Sequence, residues 1–315
     1  MKKNSMGYID DINTKTNTGA PIDLNEIEKI SGYKILMPHN FEYIDGPSTI
    51  HRITPHKIIF FDKILSDQID VLSDDNNNNC LFIVPCVPEH KGIVVPHISV
   101  DNPRITYAKL INRIFEYPHA YYDGYYTNEE LKSVFPKCNI MPGCKIHKTA
   151  KIHSNVTMLP NVFVGPNVVI QESCFIMANT SIGHPGFGII HSDDTRHVHL
   201  PHVGGVEIGR NVEIGANNSI CGGTINPTFI DDNVKLDSLV HIAHNVQIGA
   251  GTQIAAHTEI SGSVAIGKNV WVGPKTSITN GITIGDNVFI GIGSNVTKEI
   301  LSNSKAVGNP ARVIK

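Results

Sequence analysis

The 315-residue sequence has no CxxC pair, no apolar run approaching 18 residues and no marked surplus of either charge. Its six cysteines (Cys80, Cys86, Cys138, Cys144, Cys174 and Cys221) stand at irregular spacings. That excludes zinc-ribbon spacing and argues against a disulfide framework in a chain of this length, so free thiols in a reducing cytoplasm are expected. Without a long apolar run, no membrane span is expected. The first ten residues, MKKNSMGYID, carry two lysines with no apolar stretch behind them, so no secretory signal is expected either. The formal net charge of -3, from 26 basic and 29 acidic residues, indicates neither nucleic acid nor an anionic membrane as a partner. Hydrophobic residues at 41% suffice for a sizeable core and exceed what a disordered chain carries.

What the sequence does have is a repeat. From Ile230 an aliphatic residue recurs every sixth position through Leu236, Ile242, Ile248, Ile254, Ile260, Ile266, Val272, Ile278, Ile284, Ile290 and Val296. The register also runs through Ile140, Ile146, Ile152, Met158, Val164, Ile170, Ile176 and Ile182, then through Ile208, Ile214 and Ile220. Six is neither the helical period nor a strand alternation; it suits a short strand and a corner, repeated. The fifth hexad position is small or β-branched (Val156, Val162, Val168, Val212, Val234, Val246, Val270 and Val288), so two inward residues per hexad would fill a narrow prism. The fourth is often asparagine (Asn155, Asn161, Asn167, Asn179, Asn211, Asn233, Asn245, Asn269 and Asn287), a residue that tolerates the left-handed conformation of a sharp corner. Three hexads make one triangular coil, and stacked coils bury a continuous core.

The spacing therefore predicts a mainly β protein, with a parallel β-helix over residues 136–300, a smaller α/β region over 1–135 and a short tail at 301–315. Two gaps break the register, Ile182 to Ile208 and Ile220 to Ile230. The first holds an insertion loop at 184–205, dense in histidine and glycine, and solenoid insertions often form the binding face. In the N-terminal region, Cys80–Cys86 reads as a strand, Leu65–Asn79 as a loop or flexible tip, and Asn102–Ile111 as the start of a helix.

Hexads of this form resemble the left-handed β-helix acyltransferase superfamily. The left hand is implied by that resemblance alone, since strand crossovers otherwise run right-handed. A narrower resemblance rests on His184-Pro-Gly-Phe-Gly188, on Leu200-Pro-His-Val-Gly-Gly-Val-Glu-Ile-Gly209 with Val212-Glu-Ile-Gly-Ala-Asn217, and on Leu236-Asp-Ser-Leu-Val-His-Ile-Ala-His-Asn-Val-Gln-Ile-Gly249. With the NPRITYAKLI segment at 102–111, these are similar to the UDP-3-O-acylglucosamine N-acyltransferases of lipid A biosynthesis, over roughly residues 95–298. The resemblance implies transfer of an acyl group from a thioester carrier to a sugar amine, in a homotrimer with active sites between subunits. It implies nucleotide-sugar recognition by the N-terminal region, with Ile58-Ile-Phe-Phe-Asp62 about where that family grips uridine. The family's catalytic base, the histidine of its IAHN motif, falls on His244.

Chemistry agrees with that placement. An ammonium must lose a proton before its nitrogen can attack a thioester carbonyl, and an imidazole with a pKa of about 6.5 suits the task. His244 is the third residue of its hexad and should lie near a corner, facing out. The amide of Gly262, one 18-residue coil further on, could stabilise the tetrahedral oxyanion. Asp237, His241 and Asn245 could orient His244, grip the sugar or solvate a corner. Phe187 could anchor its loop or cover substrate, with His184 beside it.

Three features depart from the family pattern. Ile282, in Asn280-Gly-Ile282, stands where the family has a second histidine. Cys221-Gly-Gly-Thr224 replaces an Asp-Arg-Gly run, and the ending GNPARVIK resembles acyl-coenzyme A-dependent hexapeptide transferases in place of the family's C-terminal helices. These departures shift the expected reaction to N-acylation of a nucleotide-linked amino sugar for a surface polysaccharide or glycoconjugate. Acyl-CoA would be the donor, held by Gly262, Lys275 and Arg312. The alternative is the lipid A reaction itself, from an acyl carrier protein. His184, His191, His197, His199 and His202 raise a second alternative, a zinc-binding carbonic-anhydrase-like or non-catalytic β-helix. Lacking a partnered histidine on a matching coil, they do not make a metal the expectation.

Overall fold

The computed structural model describes residues 19–37, 39–50, 53–64, 69–86, 92–116, 123–191 and 197–314. The expectation for the first ten residues, the start of the 65–79 segment and residues 192–196 of the insertion loop lie outside them. Among the described residues no helix is long and apolar enough to cross a membrane.

The hexads form a parallel β-solenoid, and the three-sided prism accounts for most of the chain. Its faces are sheets of ten, eight and seven strands. One coil runs through Lys235–Leu236 on the first face, His241–Ile242 on the second and Gln247–Ile248 on the third. In the uninterrupted coils each strand pairs with the one 18 residues on, as Leu236 does with Ile254 and Ile254 with Val272. The twelve aliphatic residues from Ile230 to Val296 are at most 3% exposed, and the eight fifth-position valines at most 1%. Both inward positions are thus filled as the pattern predicts. The nine hexad asparagines take φ between 54° and 63°, the left-handed corner that costs other L-residues strain. Their side chains also stack: Asn161 donates to Asn179 at 3.2 Å and Asn287 to Asn303 at 3.1 Å.

The ends of the prism are closed differently. Helix Asn128–Val134, started by a Thr127/Glu130 capping box, sets Leu131 in the core beneath the first coil. At the far end Lys305–Val307 and Arg312–Ile314 form an antiparallel pair on the edge of the first face.

The N-terminal region is a parallel four-stranded sheet of Gly46–Pro47, Lys57–Phe60, Leu81–Pro85 and His97–Val100. Helix Pro103–Ile114 covers one side, begun by Asn102, whose side chain accepts from the Ile105 amide at 3.0 Å, and by a proline in the first turn. The asparagine run differs from a loose tip. Asp75–Asn77 is a 3₁₀ turn capped by Asp74, and the Asn78 and Asn79 carbonyls accept from Asn40 and His56. The run gives the neighbouring backbone acceptors, which holds it in place.

Both register gaps open at the same corner. The chain leaves the second face after Ser181–His184 and after Ser219–Cys221, and rejoins the third face at Val206–Ile208 and Thr228–Ile230. The two insertions bond to each other: Gly204 donates to the Gly223 carbonyl at 2.8 Å and Gly223 to that of Gly205 at 2.9 Å. Leu200, Val203 and Ile225 then join the N-terminal core, and the Asn112 side chain donates to the His199 carbonyl at 3.1 Å. The insertions are the seat on which the N-terminal region rests.

The left-handed corners give a direct test. Asn233 is exposed with φ 61°, so Asn233→Gly should leave the melting temperature nearly unchanged. Asn233→Val should cost ~1–2 kcal/mol. Equal melting curves for the two variants would refute conformational strain as the reason for asparagine there.

Candidate active site

His244 sits on the corner between the second and third faces, one coil beyond the two insertions. The next residue, Asn245, makes the left-handed turn (φ 60°). Its side-chain oxygen accepts from the Thr224 backbone amide at 2.8 Å, and its side-chain NH2 donates to the Thr224 hydroxyl at 3.1 Å. Asn245 therefore fastens the second insertion to the corner that carries His244.

The imidazole lies between two close neighbours. On one side is Gly262, one coil on: a Cβ there would fall 2.6 Å from Cε1 and 2.7 Å from Nε2, so only glycine lets the backbone run against the ring. Among the described residues the Gly262 amide has no acceptor. On the other side is His202, 1% exposed, with its ring centroid 5.0 Å away. Burial lowers the pKa of His244, which keeps the ring neutral at neutral pH. Its Nδ1 is buried with no hydrogen-bond partner among the described residues.

A second group lies on the second face. Ser219 stands between His184 Nε2, at 2.9 Å, and His241 Nδ1, at 3.2 Å. Burial and the neighbouring His241 hold His184 below its usual pKa. Cys221 touches His184 at 3.9 Å, but burial pushes its thiol up to about 11, which removes it as a nucleophile near neutral pH. Phe187, 88% exposed, projects from the insertion between Gly186 and Gly188.

His244, Gly262, Asn245, His184, His241 and Phe187 thus converge on one corner and the face beside it. Asp237 does not: it lies on the preceding corner, where its carboxylate accepts from the Ser238 amide at 2.7 Å. Lys275 is exposed on that same column of corners, in the left-handed conformation. Arg312 lies in the terminal hairpin, five strand spacings or ~24 Å along the axis from the coil of His244, and donates to the Ala311 carbonyl at 3.0 Å. Sequence reasoning missed Ser219. Aligning the hexads across the second gap pairs Ser219 with His241, which would have found it. No group of three or more potential ligand side chains is arranged for a metal among the described residues.

Near the second insertion, a cavity of about 540 Å³ opens in the N-terminal region, lined by Ser48, Phe60, Phe61, Asp62, Lys63 and Ile225 among others. Its Asp62 pairs with Arg104 at 2.5 Å.

Residues 227–262 match the family model for bacterial transferase hexapeptide (six repeats). The chain is 48% identical over 88 residues to UDP-3-O-acylglucosamine N-acyltransferase of Chlorobium chlorochromatii, 28% of this chain and 24% of that one. It is 46% identical over 94 residues to UDP-3-O-acylglucosamine N-acyltransferase 2 of Legionella pneumophila, 30% of this chain and 27% of that one. Among solved structures, LpxA from Acinetobacter baumannii superposes with a TM-score of 0.50 at 26% identity, covering 57% of this chain and 70% of that one. Over these stretches the chain is similar to hexapeptide-repeat acyltransferases. The matched stretches span about a quarter of the length of these curated relatives.

These relatives overturn the expectation of an acyl-CoA-dependent enzyme of surface polysaccharide synthesis, since their names specify UDP-3-O-acylglucosamine as acceptor. The features behind that expectation fill structural positions. Ile282 packs against the prism core, Cys221 and Thr224 hold the second insertion, and the tail closes the far end of the first face.

Burial holds His147, His184, His202 and His244 below the ordinary histidine pKa, His202 down to about 3. The unfolded chain therefore binds protons that the folded one refuses. Their contribution to stability is complete above about pH 6.5 and is lost as pH falls towards 3; for His202 alone it is ~4–5 kcal/mol. Urea midpoints should drop steadily below pH 6.5, and less steeply in His202→Gln. Parallel pH profiles for the two proteins would refute a neutral buried His202.

Proposed function

We propose that the protein transfers an acyl group from an acyl carrier protein thioester to the amine of UDP-3-O-acylglucosamine, with His244 as general base. The observation that carries this reading is the pairing of a neutral, half-buried imidazole with the unclaimed amide of Gly262 in one corner. Nε2 of His244 takes a proton from the sugar amine as its nitrogen attacks the thioester carbonyl. The Gly262 N–H stabilises the oxyanion of the tetrahedral intermediate. Collapse breaks the carbon–sulfur bond, and the proton on His244 passes to the departing thiolate. The products are an amide and the free carrier thiol.

The Ser219-bridged histidines, His184 and His241, supply a polar wall for the sugar, and Phe187 an apolar cover. The 540 Å³ cavity, with Phe60, Phe61 and Asp62, suits a nucleotide base by its mixture of aromatic and polar lining. The relatives' names support the acceptor, and the resemblance of the IAHN segment supports the base and the carrier-protein donor. Exposed Phe187, Ile292 and Leu301 are apolar side chains that neighbouring subunits of a homotrimer would cover. Free thiols at all six cysteines suit a cytoplasmic setting.

Thiol release from acyl-loaded carrier protein should require UDP-3-O-acylglucosamine. His244→Ala should lower turnover by about two to four orders of magnitude without loss of thermal stability. Gly262→Ala, which crowds the imidazole, should lower it by about ten- to a hundredfold. Wild-type turnover in His244→Ala would remove the general base from this corner. Release driven by other nucleotide amino sugars but not by this one would refute the acceptor. A monomer in light scattering would refute the trimer.

A further inference from the structure

His202 has no part in the reaction above, yet it is the most deeply buried histidine among the described residues, at 1% exposure. It enters from the first insertion, where two glycines make room for it. A Cβ at Gly186 would lie 3.0 Å from His202 Nε2 and 3.1 Å from the Cβ of His244, and one at Gly188 would lie 2.6 Å from His202 Cε1. The Nε2 edge of His202 and the stem of His244 therefore meet over Gly186. Their ring planes are inclined at 58°.

The two rings have complementary needs. Burial keeps His202 neutral, and the imidazoles of His244, His199 and His184 around it penalise a charge further. A neutral imidazole has one N–H and one lone pair. The Leu200 backbone interacts with the ring of His202; with the N–H on that side, the other nitrogen is an acceptor. His244 lacks an acceptor. To receive a proton at Nε2 it must already carry one on Nδ1, and Nδ1 is the buried atom without a partner among the described residues. A buried N–H with nothing to bond disfavours the very tautomer the base requires.

We propose that His202 is a positioning residue: it accepts a hydrogen bond from Nδ1–H of His244 and so keeps the lone pair of His244 on Nε2, facing the substrate. Centroids 5.0 Å apart bring facing nitrogens to ~3 Å after a turn of one ring about its Cβ–Cγ bond. The commoner partner of a working histidine is a carboxylate or a backbone carbonyl. A neutral imidazole orients the base without adding negative charge beside it. The inference rests on His244 being the base.

The test reads the tautomer directly. In the free ¹⁵N-labelled protein at neutral pH, histidine ring spectra should show His244 protonated on Nδ1. His202→Gln, whose amide oxygen can accept the same bond, should keep that state, and His202→Leu should shift it towards Nε2–H. In turnover, His202→Leu should lose on the order of ten- to a hundredfold in kcat with KM little changed. The acidic limb of its kcat/KM profile should also move, and His202→Gln should recover most of the loss. An Nε2–H tautomer in the wild-type protein overturns the proposal, as does an unchanged tautomer in His202→Leu. If the leucine variant fails to fold, the wild-type spectrum and the glutamine variant still decide. The spectra need neither donor nor acceptor. A correct tautomer in a protein without transferase activity would therefore refute the proposed function and leave the histidine pair standing.

Discussion

A triangular coil of 18 residues leaves a channel so narrow that each face can send in only one large aliphatic side chain and each corner one small one. Leu236, Ile242 and Ile248 fill one layer; Ile254, Ile260 and Ile266 fill the next in register. A fully buried isoleucine of this kind contributes about 1.5–3 kcal/mol. Slipping the register by one residue would turn these side chains out to water. Everything outside the prism inherits the resulting spacing. Residues 18 apart are vertical neighbours at ~4.8 Å, so Gly262 must run against whatever side chain occupies position 244. The His244 corner is therefore set by the core: the stack of isoleucines fixes the backbone, and the backbone sets an amide beside an imidazole.

The insertions exploit the same constraint. Extra residues cannot enter the prism, so they leave at a corner and return to it. Both leave between the second and third faces on successive coils, which lets their backbones pair through Gly204, Gly205 and Gly223. One structure thereby does two jobs. Its outer side carries Leu200, Val203 and Ile225 into the N-terminal core, and its inner side carries Gly186 and His202 to His244. The N-terminal cavity and the His244 corner are tied together through Ile225 and Thr224, adjacent residues of one loop.

The division between what was legible in the sequence and what was not follows from this architecture. The prism was legible because its rule is periodic: any residue at an inward hexad position must be aliphatic, and the asparagines mark the corners. His244 and Gly262 were legible because they lie inside the periodic part, one coil apart. Ser219 was hidden by the four extra residues of the second gap, which put 22 positions between it and His241, its neighbour across the strands. His202 was visible only as one of five histidines in a loop, since nothing periodic says which of them turns inward. The parallel strand order of the N-terminal sheet was likewise unreadable, because its pairings cross connections with no repeat. Asp237 shows the opposite failure. It is close to His244 in sequence, but a hexad turns the chain through a third of a circle, so seven residues put the two on different edges.

The chemistry of the corner is a compromise between exposure and desolvation. A base on the open face of a solenoid would be well solvated, with a pKa near that of free imidazole and partly protonated at neutral pH. Seating His244 against Gly262 and His202 strips water from one edge and lowers its pKa, so more of it is the free base, though a weaker one. A carboxylate partner would reverse that by stabilising the imidazolium. Buried walls and a neutral second imidazole preserve it, so the proposed base depends on the identity of the side chain behind His244 as much as on His244 itself.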